Sequence, residues 1–111
     1  MDPRIRAVLD FAEEHYSDRL TVNMLAGMVG LSRYRFEHPF RRHVGMDFKR
    51  CQRLTRLRRA KELLADRTLS IKQVAARIGY TSPSDFSREF REEFGTPPSL
   101  YRRNFPVIIG R

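Results

Sequence analysis

The sequence predicts an all-α fold: seven helices forming a bilobed domain, two helix-turn-helix lobes joined by a central linker helix. Three observations carry this. One pattern of apolar residues and glycines occurs twice, each copy reads as a short helix, a glycine turn and a second helix, and a basic helical stretch lies between them. The first copy is Leu20-Thr21-Val22, Leu25-Ala26, Val29-Gly30, Phe36, Phe40 and Gly45; the second is Leu69-Ser70-Ile71, Val74-Ala75, Ile78-Gly79, Phe86, Phe90 and Gly95. The offset is 49 residues as far as Gly30 and Gly79 and 50 from Phe36 and Phe86 onward, so the second copy carries one extra residue in its turn.

In order, Asp2 caps the first helix and Pro3 takes its first position, with Ile5, Val8, Leu9 and Ala12 on one face and an end near Ser17-Asp18. Thr21 caps the second, which turns Val22, Leu25, Ala26 and Val29 inward. Gly30 supplies the positive dihedral of a tight turn. Ser32 caps the third, with Phe36, Phe40 and Val44 inward and Gly45 closing it. Asp47 starts the fourth, which runs to about Ala65 on a stripe of Leu54, Leu57, Ala60 or Lys61, and Leu64. Ser70 caps the fifth, Gly79 makes the second turn, Ser82-Pro83 opens the sixth, and Pro98 opens a short seventh carrying Leu100 and Tyr101. The expected division is a first lobe over 1–46, the linker helix over 47–65, a second lobe over 66–104 and a tail over 105–111, whose Phe105-Pro106-Val107-Ile108-Ile109 shows no periodicity.

Composition narrows the partners. Among 111 residues, 22 Lys and Arg oppose 13 Asp and Glu, a formal charge of +9 that favours a polyanion. The charge is clustered: eleven basic residues lie between Arg33 and Lys61, opposed only by Glu37 and Asp47. No apolar run reaches the roughly 18 residues of a membrane span, and Met1-Asp2-Pro3 leads straight into amphipathic sequence with no apolar targeting segment. The single cysteine, Cys51, allows no internal disulfide and fits a reducing compartment, hence a cytoplasmic protein.

A duplicated helix-turn-helix on an arginine-rich rod points to double-stranded DNA. With Phe36 and Phe40 inward, Tyr34, Arg35, His38, Arg41 and Arg42 lie on the outer face of the third helix, and Arg33 stands at its start, facing backbone. The sixth helix presents Ser82, Ser84, Asp85, Arg88 and Arg91, a face of mixed sign on which Glu92 repels phosphate unless paired with Arg88. Arg50, Arg53 and Arg56 on the fourth helix are candidate phosphate contacts. That helix, about 27 Å long, suits two readers near the roughly 34 Å repeat of one major groove.

The ordered set resembles the AraC/XylS family of bacterial transcription regulators over about residues 5–103. Its most specific part is Leu69-Ser70-Ile71, Val74-Ala75, Ile78-Gly79-Tyr80, Ser84, Phe86-Ser87-Arg88-Glu89-Phe90-Arg91, Phe94-Gly95 and Pro98-Ser99-Leu100-Tyr101-Arg102. The first lobe adds Leu20-Thr21, Leu25-Ala26, Gly30-Leu31-Ser32, Phe40-Arg41 and Gly45-Met46, and the fourth helix Arg53, Arg56, Leu57, Arg59-Ala60 and Leu63-Leu64. The resemblance implies promoter binding through Ser32–Val44 and Ser82–Phe94, and most often activation through contact with RNA polymerase. It also implies one of two forms: a short single-domain activator, for which a monomer suffices, or a piece that dimerises through a further domain. Two departures stand out. His38-Pro39 replaces the family's arginine and aliphatic residue before the third-helix phenylalanine, and Cys51-Gln52 replaces an aromatic and a leucine. A mid-helix proline costs about 3 kcal/mol and predicts a kink or a displaced first half.

Other classes fit less well. A degenerate regulator, docking on RNA polymerase or another regulator without specific DNA binding, draws on Pro39 and the apolar tail. An enzyme has no support: His15, His38 and His43 have no metal-ligand spacing with cysteine or carboxylate, Glu13-Glu14 has no nucleophile partner, and the glycines stand singly. No catalytic residue, metal site or cofactor is expected.

Overall fold

A computed structural model describes residues 2–104; the tail over 105–111, for which no pattern was read, lies outside the described residues. Seven helices follow one another: α1 Pro3–Glu14, α2 Val22–Met28, α3 Arg33–Val44, α4 Phe48–Leu64, α5 Ile71–Arg77, α6 Pro83–Phe94 and α7 Pro98–Arg103. No strand occurs among the described residues. The chain divides into two compact units, Met1–Arg56 and Leu57–Arg111. The boundary falls inside α4, a continuous helix of 17 residues, rather than at its ends. What the sequence suggests as a separate linker therefore contributes its first half to one unit and its second half to the other.

The helix starts are set by side-chain oxygens that satisfy otherwise orphaned N–H groups. Asp2 accepts from Arg4 N, Thr21 from Met24 N, Ser32 from Arg35 N and Asp47 from Arg50 N. In the second unit Ser70 and Gln73 form a reciprocal capping box, and Ser82 accepts from Asp85 N. Gly45 and Gly95 end α3 and α6 in the left-handed region, at φ 89° and 80°, each donating its N–H to a carbonyl four residues back at 2.8 Å. A side chain at either position would be strained.

The first unit buries Ile5 and Val8 of α1, Leu25 and Ala26 of α2, Phe36 and Phe40 of α3 and Phe48 of α4 in one cluster. Cys51 packs partly buried against the same cluster. Beside it Gln52 donates its amide to the Asp18 carbonyl at 3.2 Å, so the unusual pair is absorbed by one apolar and one polar contact. The second unit repeats the plan with Leu57, Ala60 and Leu64 of α4, Val74 and Ala75 of α5, and Phe86 and Phe90 of α6 buried. There Phe90 meets Phe94 edge-on at 4.8 Å and Tyr101 at 5.6 Å, and the Lys61 ammonium sits 3.8 Å over the Phe94 ring.

One expectation needs correction. The first helix ends at Glu14, before the expected Ser17-Asp18, because His15 leaves the helix: its ring stacks on Phe11 at 4.3 Å and its Nδ1 lies 3.2 Å from the Asp18 carboxylate. Pro39 lies inside α3, whose helical run is continuous from Arg33 to Val44. The proline removes one N–H, the one that would have served the Arg35 carbonyl four residues back. Phe36 and Phe40 on either side of the weak point are buried and hold the two halves in one line of packing.

Replacing Phe86 or Phe90 by alanine should lower unfolding free energy by about 3–5 kcal/mol, read by urea denaturation. Pro39→Leu should raise the thermal midpoint, because it restores a helical donor at a position already held helical; a lower midpoint would mean that α3 depends on the ring.

Candidate nucleic-acid interface

In each unit the second helix of the repeat is pinned by a phenylalanine pair four residues apart, with ring centroids 5.5 Å apart for Phe36 and Phe40 and 5.7 Å for Phe86 and Phe90. All four rings are buried. That fixes which side chains of α3 and α6 face water. On α3 the sequence-predicted residues Arg33, Tyr34, Arg35, His38, Arg41 and Arg42 are all exposed, Tyr34 by 75%. Tyr34 and His38 stack at 6.5 Å with a 17° tilt, which forms a flat aromatic step between arginines. A cavity of about 250 Å³ lies alongside, lined by this pair, Arg41 and the start of α4 at Asp47 and Phe48. Arg33 is the exception among the basic residues of the face: its Nε lies 3.3 Å from Glu37, one turn on.

On α6, Ser84, Asp85, Arg88 and Arg91 are exposed. Ser82 is half-buried, and its hydroxyl is committed to capping the helix. Arg88 is surrounded by carboxylates. Its Nη1 donates to Asp85 at 2.9 Å, Nη2 lies 3.8 Å from Glu89 and Nε 4.0 Å from Glu92. The hydrogen bond and charge of Asp85, then Glu92 and Glu89, raise the Arg88 pKa above the ordinary guanidinium value. The expected pairing with Glu92 is present, but Asp85 is the nearer partner. Asp85, one of the residues the sequence places on this face, accepts that bond from the arginine.

The α4 arginines separate. Arg50 is exposed; Arg53 and Arg56 are half-buried. Arg56 donates Nε to the Tyr16 carbonyl at 2.8 Å and Nη2 to the Asp18 carbonyl at 2.7 Å, which ties the turn after α1 to α4. The repeat has a counterpart: Arg102 of α7 donates to the Leu64 carbonyl at 3.0 Å and the Asp66 carbonyl at 3.3 Å, in the turn after α4. Sequence reading placed Arg56 among the phosphate contacts and assigned Arg102 no site role. The partners are backbone carbonyls 38 or more residues away in three of these four bonds, and a carbonyl leaves no mark in side-chain pattern.

Among the described residues no group of three or more His, Cys, Asp or Glu side chains is placed to hold a metal ion, and no helix is long and apolar enough to cross a membrane.

Comparison with known proteins agrees with this geometry. A helix-turn-helix domain family model matches residues 25–104. The chain is 37% identical over 103 residues to the HTH-type transcriptional regulator GlxA of Rhizobium meliloti, covering 92% of this chain and 32% of that protein. It is 30% identical to the regulatory protein PocR of Salmonella typhimurium, covering 92% and 34%. The chain thus spans about a third of the length of these curated relatives. Among solved structures, the DNA-binding domain of AdpA, a global transcriptional factor crystallised with a target DNA, superposes with a TM-score of 0.87 at 29% identity, covering 93% of each chain. The C-terminal domain of the response regulator AraT from Geobacillus stearothermophilus gives 0.87 at 28% identity, covering 92% of this chain and 85% of that one.

Arg56→Met should cost about 1.5–3 kcal/mol of stability by removing charged hydrogen bonds from two carbonyls, while the salt dependence of DNA binding stays as it was. Arg41→Ala should do the reverse: stability unchanged, and the log–log salt slope shallower by about 1. Denaturation curves and binding titrations over a salt series check both.

Proposed function

We propose, since this chain belongs to the AraC/XylS family of sequence-specific DNA-binding transcription regulators, that it reads a bipartite duplex site by placing α3 and α6 in successive major grooves. The observation that supports this reading is the exposed face of each helix directly opposite its buried phenylalanine pair. On α3, Arg35, Arg41 and Arg42 supply phosphate attraction around the Tyr34–His38 step. On α6, Arg88 grips a guanine through two parallel donors, worth roughly 1–3 kcal/mol of discrimination, and Arg91 meets phosphate. Arg50 and Arg53 add backbone contacts from α4. Two readers on one chain let a monomer hold a site that otherwise takes a dimer. The proposal extends to a cytoplasmic activator that touches RNA polymerase once bound.

The competing reading, a regulator that has lost DNA specificity and serves as a protein-docking module, drew on Pro39 and the tail. Pro39 lies in an unbroken α3 with the reading residues exposed on both sides of it, so Pro39 lends that reading no support.

Selection of bound duplexes from a random pool should return two sequence boxes about one helical turn apart. Six to eight phosphate contacts predict a log–log salt slope of about −5 to −7 for the selected duplex. A flat salt response, or a pool that stays random, rejects the proposal.

A further inference from the structure

The two reading helices are opposite in sign although they hold the same place in the repeat. Across α3 four arginines, Arg33, Arg35, Arg41 and Arg42, stand against one carboxylate, Glu37. Across α6 two, Arg88 and Arg91, stand against four: Asp85, Glu89, Glu92 and Glu93. The difference falls on the reading face. At the 50-residue offset Arg88 matches His38, and its three carboxylates, Asp85, Glu89 and Glu92, match Arg35, Pro39 and Arg42. Every acid around Arg88 replaces a cation or a proline.

We infer that Asp85 and Glu92 are specificity-determining residues that act by exclusion, keeping Arg88 off phosphate and leaving it to base edges. The inference rests on the reading of α6 proposed above. A phosphate carries a full negative charge, and one carboxylate 4 Å away disfavours it about fivefold even in water. A guanine edge carries only partial charges and is repelled far less. The carboxylates offset the arginine's charge without using up its donors. Of its five N–H groups, one lies at hydrogen-bond length from a carboxylate, at 2.9 Å; Glu89 and Glu92, at 3.8 and 4.0 Å, are ion-pair neighbours beyond that length. Glu89 also accepts from the Tyr80 hydroxyl at 2.5 Å and is 20% exposed, so it belongs to the packing of its unit. Asp85 and Glu92 are 53% and 57% exposed and serve the outer face. Affinity and selectivity are thus divided: α3 holds the duplex, and α6 settles only where a base completes the arginine's bonding.

The test measures the selected duplex and a random-sequence duplex of equal length against Asp85→Asn and Glu92→Gln over a salt series. Glu14→Gln on the exposed side of α1, the same change in charge, is the control. Each α6 variant should tighten the random duplex about threefold to tenfold and steepen its salt slope. The selected duplex should gain less, so the preference ratio falls, while the control moves both duplexes alike. A ratio unchanged in both α6 variants, or changed no more than in the control, overturns the inference and leaves the DNA-reading function standing. A wild type that prefers no duplex overturns that function, and this inference with it.

Discussion

The buried phenylalanine pairs decide what the rest of each unit can do. Two rings four residues apart occupy one side of a twelve-residue helix, and once they are sealed the helix has no rotational freedom left. Phe40 is held by Phe36 and by the edge of Phe48; Phe90 by Phe86, Phe94 and Tyr101. Each pair also meets one ring from the helix that follows it, Phe48 of α4 in one unit and Tyr101 of α7 in the other. A reading face is useful only if its side chains return to the same place at every encounter, and aromatic packing of this density supplies that constancy. It also explains why α3 tolerates Pro39: the lost hydrogen bond is local, whereas the rings that fix the helix lie on both sides of it.

Basic residues perform two distinct tasks here, and charge alone does not separate them. Arg56 and Arg102 are cations whose donors close the turns after α1 and α4 onto the helices that carry them. Arg35, Arg41 and Arg42 lie on the open face of α3. The guanidinium suits the first task because its rigid planar fork holds separate donors toward two carbonyls, whereas a lysine's donors all radiate from one atom on a flexible stem. The count of 22 Lys and Arg thus overstates the number of cations offered to a polyanion.

What was legible in the sequence follows the range of the interactions. Caps are local, within three residues, and Asp2, Thr21, Ser32, Asp47, Ser70 and Ser82 all stand where they were read. Helical spacing is also local, so the buried stripes through Leu25, Phe36, Leu57 and Phe90 were legible too. The early end of α1 was not, because His15 is drawn out by a stacking partner and a carboxylate that pattern reading treats as separate. Nor was the sharing of α4, since a single apolar stripe along it carries no mark of where one packing unit yields to the next. The outer faces of α3 and α6 were read residue by residue, yet the ranking of partners around Arg88 needed distances: Asp85 at i−3 outcompetes Glu92 at i+4.

Duplication gives a physical reason for the opposite signs of the two faces. A single reading helix must both attract the duplex and reject wrong sequences, and the two demands conflict, since each added cation strengthens binding to every sequence. Two copies on one chain relax the conflict. Once α3, with Arg35, Arg41 and Arg42 exposed, supplies the general attraction, acids on α6 no longer prevent binding and sharpen its dependence on the base met by Arg88. The same phenylalanine framework under both faces allows this, because the surface residues can change sign without disturbing the rings that position them.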